Sequence, residues 1–238
     1  MYRKMKWGLI ALVLLVPVVG VPIVCRGIRQ QQDAAKGSTC NGQMCSIALS
    51  MHSYHDTNGH FPPAYLAGSD GKPAHSWRVL LLPFIEQQDL YKAYRFDEPW
   101  DGPSNRQLAG RMPRHYACPS DPEGLAKGVT SYFVVVGPGT AFPGAKPTKL
   151  DDITRPRDQT VLLVEAVGQD ICWMDPRDLT LADMRFAPDS PGGPTISSKH
   201  RLPWAAFADG TRRGVGKSEG AIDPLDLRAM MFIRPEDK

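Results

Sequence analysis

The stretch WGLIALVLLVPVVGVPIVC, residues 7–25, contains no charged side chain and sets the organisation of the chain. As a helix rising about 1.5 Å per residue it extends about 28 Å, close to the hydrocarbon core of a bilayer at about 30 Å. We therefore expect a transmembrane helix at 7–25. The alternative of a buried core helix is less favoured, because uncharged apolar stretches of this length are typical of membrane spans.

Two kinds of cleavage compete with a retained anchor. A secretory signal peptide has an apolar region of about 7–15 residues and then a site of small residues. This run is longer, and no Ala-x-Ala precedes Arg26. A lipoprotein signal would place the lipid on Cys25, but Val24 is unfavourable before such a cysteine. Both comparisons favour retention of the segment.

The charges that flank this segment predict its orientation. Arg3, Lys4 and Lys6 precede it, and Arg26 and Arg29 follow it. The small excess of positive charge before the segment favours a cytoplasmic N-terminus. We expect a single-pass protein of the bacterial cytoplasmic membrane with its main domain outside. The predicted segments are a cytoplasmic N-terminus (1–6), the transmembrane helix (7–25), a helix continuing from the anchor (26–58) and an extracytoplasmic globular domain (59–238).

Composition limits the classes of partner. The net charge of the 238 residues is only +3, and the chain has no run of Lys and Arg. This pattern does not indicate nucleic-acid binding. Gly and Pro number 22 each, which favours short strands joined by many turns.

Periodicity predicts the elements of the outer domain. Ile47, Met51 and Tyr54 follow one another at helical spacing. Thr160–Val167 is the clearest central strand because it is apolar and rich in β-branched residues. The other predicted elements are strands at Ser131–Val136 and Trp204–Ala208, a hairpin turn at Asp209-Gly210, and short helices at Phe84–Tyr94 and Asp223–Phe232.

The segment IALSMHSYHDTNGHFPPA, residues 47–64, resembles the signature of a large bacterial family with a prepilin-like N-terminus and an uncharacterised outer domain (domain of unknown function fifteen-fifty-nine). Further similar segments are SWRVLLLP (76–83), RFDEPWD (95–101), CPSDP (118–122), ISSKH (196–200) and FADG (207–210). The positions that match the motifs of the family are His55, Asp56, Pro62, Pro63, Trp77, Cys118, Asp121, Glu165, His200, Asp209 and Gly210.

This resemblance implies an α+β fold related to type IV pilins and type II secretion pseudopilins. A long N-terminal helix, partly in the membrane, would pack on an antiparallel β-sheet with long loops. Cys40 and Cys118 match the two cysteine positions of the family, which implies a disulfide between them. The chain departs from the prepilin signal, because Val13 stands where the family has a glutamate after Gly8. We therefore expect the N-terminal segment to be kept and homopolymeric filaments not to form.

His52, His55 and His60, with Asp56, form the densest group of ligand-type residues. Two histidines three residues apart can share a helix face, and imidazole suits zinc or copper. The group also stands at the end of a predicted helix, where Asp56 can stabilise the turn at Asn58-Gly59. We favour the structural role and keep these histidines as metal candidates.

Four other groups of residues invite a chemical interpretation. His200 and Asp209 with Ser197 or Ser198 would suit a hydrolase, but no Gly-x-Ser-x-Gly motif is present. Glu165 lies in an apolar strand, where a carboxylate needs a partner such as an arginine or a backbone donor. Carboxylates that could bind calcium are Asp170, Asp175 and Asp178. Tryptophans that could stack on sugars, or fill the core, are Trp77, Trp100, Trp173 and Trp204.

These observations favour a non-enzymatic, pseudopilin-like structural or assembly protein of the cell envelope. We expect no catalytic residue, cofactor or resident metal, and no small-molecule substrate. The expected partners are the lipid bilayer at 7–25 and other envelope proteins. The alternatives are a metal-dependent hydrolase that uses the His52–His60 group, and a surface module that binds glycans or solutes.

Overall fold

The computed structural model describes residues 21–186, 195–200 and 202–235. Helix α1 (Val21–Asn58) opens this part and runs for 38 residues, about 57 Å at about 1.5 Å per residue. Most of the predicted membrane segment, 7–20, lies outside the described residues. Within the described part, no helix combines the length and the apolar character that a membrane crossing requires.

The remaining elements are short. In chain order they are β1 (Tyr65–Ala67), β2 (Pro73–Ser76), α2 (Trp77–Leu80), α3 (Gln88–Ala93), α4 (Pro122–Lys127), β3 (Tyr132–Phe133), β4 (Val135–Val136), β5 (Val161–Glu165), β6 (Leu179–Thr180), β7 (Trp204–Phe207), β8 (Arg212–Gly214) and α5 (Pro224–Ala229). Within the described residues, 3-10 helices lie in the connections at Leu82–Ile85, Asn105–Arg111, Arg114–Tyr116, Leu150–Asp152 and Arg157–Gln159.

The main sheet has four strands in the order β3-β5-β7-β8, and every neighbouring pair is antiparallel. Strands β1 and β2 form a separate antiparallel pair, and β4 and β6 a parallel one. All five residues of β5 are buried, because this strand has a strand on each side and apolar groups on both faces. The mixed α+β fold, with an N-terminal helix packed against an antiparallel sheet, is thus confirmed.

The second half of α1 covers one face of this sheet. Its buried residues recur every three or four positions, which is the spacing of a single helix face. They are Cys40, Met44, Ile47, Ala48 and Met51. Leu163 of β5 and Ala206 of β7 join the same core. A second core contains Val164, Phe207 and, from α5, Leu227.

Two predicted elements differ from the structure for identifiable reasons. The single strand predicted at Ser131–Val136 is two strands, because β3 pairs with β5 while β4 pairs with β6. The helix predicted at Phe84–Tyr94 is a 3-10 turn followed by α3, and Glu86 between them has a positive φ of 60°. A left-handed residue interrupts the helical hydrogen-bond ladder.

An ion pair with no exposed surface joins α2 to the chain before β6. Arg78 Nη2 lies 2.7 Å from Asp178 Oδ1, and both side chains are 0 % exposed. The carboxylate also accepts from Trp77 Nε1 at 3.0 Å and from the Val134 N–H at 3.0 Å. The guanidinium donates to the Tyr132 carbonyl at 2.9 Å. Burial raises the pKa of Asp178 to about 6, and its donors, Arg78 foremost, oppose that rise.

We predict that Asp178→Asn lowers the free energy of unfolding by about 3–5 kcal/mol, because Arg78 would remain buried without a counter-charge. Urea denaturation followed by circular dichroism measures this loss. Asp183→Asn, at an exposed aspartate, is the matched control and should change stability by less than about 0.5 kcal/mol. Equal effects of the two variants would contradict the role given to the buried pair.

Candidate functional site

A disulfide fixes α1 to the domain. Cys40 and Cys118 are bonded, with their Cα atoms 5.3 Å apart, a distance typical of disulfides. Both residues are 0 % exposed. The predicted pairing is therefore confirmed. The bond closes a separation of 78 residues, for which chain-entropy arguments give a stabilisation of about 4 kcal/mol.

Next to this disulfide lies a buried acid–imidazole pair. His200 Nε2 is 2.9 Å from Glu165 Oε1, and the two side chains are 3 % and 0 % exposed respectively. Glu165 is the last residue of β5 and Trp204 the first of β7, so the Trp204 N–H can donate to Glu165 Oε2 at 3.2 Å. The two carboxylate oxygens thus have different partners.

Burial raises the pKa of Glu165, because a carboxylate loses its hydration inside the protein. Contact with His200 and the Trp204 N–H lowers that pKa and opposes the effect of burial. The partners that the sequence suggested for this carboxylate were an arginine or a backbone donor. The structure supplies a backbone donor and, in place of an arginine, a histidine 35 residues further along the chain.

Tyr132 connects the acid–imidazole pair to α1. Tyr132 pairs with Glu165 in the β3–β5 register. Its hydroxyl lies 3.2 Å from the Cys40 carbonyl oxygen and 3.1 Å from Gln43 Oε1. Burial raises the pKa of this phenol, so it stays a neutral hydrogen-bond donor. It thereby satisfies a helix carbonyl beside the disulfide.

A second ion pair lies on the loop that follows Cys118. Lys199 Nζ is 2.7 Å from Asp121 Oδ1, and the carboxylate is mostly buried while the lysine is half exposed. Asp121 N–H also donates to the Cys118 carbonyl oxygen at 2.8 Å. The segments around Cys118 and His200 are therefore tied together, although 82 residues separate them in the sequence.

A cavity of about 960 Å³ opens between α1 and the loops around β7 and β8. His200 lines this cavity, and Gly37 of α1 faces the imidazole: a methyl group at Gly37 would stand 3.6 Å from Nδ1. The lining combines polar and apolar side chains: Gln30, Asp33, Ala34, Gly37, Ser38, Asn41, Lys199, His200, Leu202, Trp204, Ser218 and Glu219.

The three histidines near the end of α1 have separate contacts. His52 and His55 lie against Phe61, with ring centroids 5.4 and 5.1 Å away, and burial lowers the pKa of His52. His55 Nε2 accepts from the Leu150 N–H at 3.2 Å. His60 Nδ1 is 2.8 Å from the carbonyl oxygen of Phe61. These contacts hold the end of the helix on the domain.

The hydrolase arrangement does not form. The hydroxyls of Ser197 and Ser198 donate to the carbonyl oxygens of Val167 and His200. Asp209 accepts from the Thr211 N–H and hydroxyl in the turn between β7 and β8. His200 is paired with Glu165 instead of Asp209.

Other residues singled out in the sequence have structural contacts. Pro62 and Pro63 are buried, Asp56 is exposed beside His55, and Gly210 takes the positive φ of its turn, 83°. Two of the carboxylates considered for calcium take part in ion pairs: Asp178 pairs with Arg78, and Asp175 pairs with Arg177 at 2.6 Å. Trp77 and Trp173 are fully buried in the core, and Trp100 and Trp204 pack partly buried against it.

Three residues of the site escaped the sequence analysis as functional candidates: Tyr132, Lys199 and the backbone of Trp204. Their partners are distant in sequence, so no local spacing connects them. Arg78 was also overlooked, although a signal for it exists. A single charge inside the apolar run Trp77–Leu82 indicates a buried charge that needs a counter-ion.

A family model described as "Protein of unknown function (DUF1559)" matches residues 30–152. The matched region is more than half of the chain. It contains Cys40, His55, Trp77 and Cys118. Neither the curated proteins nor the solved structures contain a match to this sequence.

We predict that Glu165→Gln removes a pH dependence of stability. The folded state raises the pKa of Glu165 above its ordinary 4.5, so it holds the proton more tightly than the unfolded chain. The stability from that proton is present below about pH 4.5 and is lost as the pH rises through the raised pKa. Glutamine stays neutral, so the unfolding free energy of the variant relative to wild type should increase as the pH rises above about 4.5 and through the raised pKa of Glu165.

Denaturant unfolding at a series of pH values measures this difference. Glu123→Gln, at an exposed glutamate, is the control and should show no such trend. A difference for Glu165→Gln that is constant with pH, or that decreases, would refute the dominance of burial over the contact with His200.

Proposed function

The chain belongs to the family of proteins of unknown function DUF1559, and from that premise we propose that it is a membrane-anchored, extracytoplasmic, pseudopilin-like assembly protein of the cell envelope without enzymatic activity. The observation that carries this proposal is the construction of α1. One half of the helix is held on the sheet, and the other half extends away from the core toward the apolar run at 7–25.

The exposure of side chains along α1 supports this division of the helix into a packed part and an exposed part. Residues 30–36 are all exposed, and Cys40 is the first fully buried residue of the described side chains. The sequence of this exposed part, residues 30–36, is QQQDAAK, and it lacks an apolar face of its own. A polar helix of this kind is suited to separate the domain from the membrane through water, or to form a surface that another envelope protein contacts.

The described part of α1 includes the end of the apolar run. Residues 21–25 belong both to α1 and to the uncharged stretch that ends at Cys25. Helical structure therefore passes from the end of the apolar run into the domain without a break. A membrane helix leading into a packed domain helix is the arrangement expected of a pilin-like protein.

The disulfide supports an outer location of the domain. Structural disulfides persist in oxidising compartments such as the bacterial periplasm and are rare in the cytosol. Cys40–Cys118 is buried and joins two distant parts of the chain. An extracytoplasmic domain with a cytoplasmic N-terminus is consistent with this bond and with the charges that flank 7–25.

Val13 favours an accessory position over a filament subunit. In pilins, a glutamate at the corresponding position is expected to meet the free amine of the neighbouring subunit during assembly, and a carboxylate in hydrocarbon needs such a cation. The chain has no acidic residue before Asp33, so it lacks this pairing. We infer that it works beside other envelope proteins instead of polymerising alone.

A topology experiment tests the location. We predict that alkaline phosphatase fused after Lys238 is active in cells, because that enzyme needs the oxidising outer compartment for its disulfides. A fluorescent reporter that matures only in the cytoplasm, fused at the same position, should be dark. Fusions of the chain without residues 1–25 provide the control and should give the opposite pattern. An inactive phosphatase on the full chain would refute the outer location.

A crosslinking experiment tests the assembly role. We predict that a photoreactive amino acid at Gln32, which is exposed on the helix face opposite the cavity, captures other envelope proteins in native membranes. Mass spectrometry identifies the products. The same probe at Lys92, exposed on α3, is the matched control and should give fewer products. A ladder made only of this chain, or equal products from both positions, would contradict an accessory role carried by α1.

A further inference from the structure

Four ligand groups of three chemical kinds meet beside the cavity. Cys40, Cys118, Glu165 and His200 each offer one ligand atom, and these atoms all lie within 4.8 Å of one another. Two thiolates, an imidazole and a carboxylate are donors that zinc accepts in tetrahedral sites. We propose that reduction of the Cys40–Cys118 disulfide converts this cluster into a binding site for one Zn²⁺ ion.

The conversion is a two-electron step. A dithiol or phosphine reductant gives two electrons to the disulfide, the S–S bond breaks, and two protons complete the thiols of Cys40 and Cys118. A dithiol leaves as its own disulfide, and a phosphine leaves as its oxide, with the oxygen taken from water. Zn²⁺ then displaces the two thiol protons to solvent and bonds both sulfurs as thiolates.

The distances require small movements. With Zn–N and Zn–O bonds of about 2.0–2.2 Å and Zn–S bonds of about 2.3 Å, tetrahedral ligand atoms stand about 3.3–3.8 Å apart. In the structure the four ligand atoms lie within 4.8 Å of one another, and His200 Nε2 is 2.9 Å from Glu165 Oε1. The sulfurs must separate once their bond is broken, and the imidazole and the carboxylate must open by a few tenths of an ångström to admit the ion.

Groups around the cluster hold the ligands in place. The Trp204 N–H donates to Glu165 Oε2, and the other carboxylate oxygen, Oε1, is directed at His200. The Tyr132 hydroxyl lies against the carbonyl oxygen of Cys40 and steadies the turn of α1 that carries the sulfur. Such hydrogen bonds orient metal ligands and contribute substantially to affinity.

The surroundings favour a cation at this position. The Glu165 carboxylate is 0 % exposed, and its partner His200 carries a full positive charge only when protonated. A divalent ion bound to the carboxylate and both thiolates would offset two of their three negative charges. His200 lines the cavity and also belongs to the cluster, so the cluster borders the cavity at this imidazole.

The test uses the purified full-length chain and Co²⁺ as a spectroscopic probe. After reduction with a phosphine under anaerobic conditions and removal of the reductant, Co²⁺ is titrated into the protein. We expect one ion per chain, visible d–d bands of a tetrahedral site and a near-ultraviolet thiolate-to-cobalt band, all bleached by one equivalent of Zn²⁺. The untreated disulfide form should show none of these bands. Circular dichroism follows the fold throughout.

Variants separate this site from adventitious binding. Cys40→Ser and Cys118→Ser should abolish the thiolate band, and His200→Ala should weaken Co²⁺ binding at least about tenfold. His200→Gln is the second variant if the alanine protein fails to fold. Cys45→Ser and Cys172→Ser, at two cysteines that are free among the described residues, are the matched controls and should bind as wild type.

Three results would overturn the proposal. The first is Co²⁺ binding without a thiolate band. The second is wild-type affinity in both His200 variants. The third is a reduced protein that is unfolded and stays unfolded when Zn²⁺ is added.

Discussion

A guanidinium and a carboxylate that water does not reach hold the centre of this molecule. Arg78 and Asp178 bond through two pairs of atoms. Their further hydrogen bonds go to Ser76 and Trp77 at the start of α2 and to the backbone of Tyr132 and Val134. In a low-dielectric interior either charge alone would be costly, so the two segments that carry them must arrive together. A series of hydrogen bonds connects this pair to the disulfide and to the acid–imidazole pair. Arg78 donates to the carbonyl of Tyr132, whose hydroxyl reaches Cys40 and whose strand partner is Glu165.

The elements that the sequence predicts well are those whose signal is local. Ile47 and Met51 repeat at helical spacing and are buried where α1 meets the sheet. The apolar run of β5 is found because a strand buried on both faces has few polar residues. Asp223 caps α5 by accepting from the Leu225 N–H, as its position before a proline indicates. In contrast, β8 at Arg212–Gly214 is polar, and only its pairing with β7 makes it a strand.

The site depends on information that is not local. The buried carboxylate of Glu165 signals the need for a partner, but nothing near it in sequence identifies His200. Asp178 looks like an oxygen ligand beside Asp175, yet its counter-ion lies 100 residues earlier. The disulfide was accessible only through resemblance to a family, because five cysteines allow many pairings. At the end of α1 the dense local pattern of histidines was interpreted as structural, and His52 and His55 lie against Phe61.

The position of Cys40 has a mechanical consequence. It stands at the boundary between the exposed and the buried parts of α1, so tension along the exposed part meets a covalent bond before it meets the buried residues Met44, Ile47 and Met51. Part of that load passes through Cys118 into the loop of Asp121 and its partner Lys199, and the contact of α1 with the sheet bears correspondingly less of it.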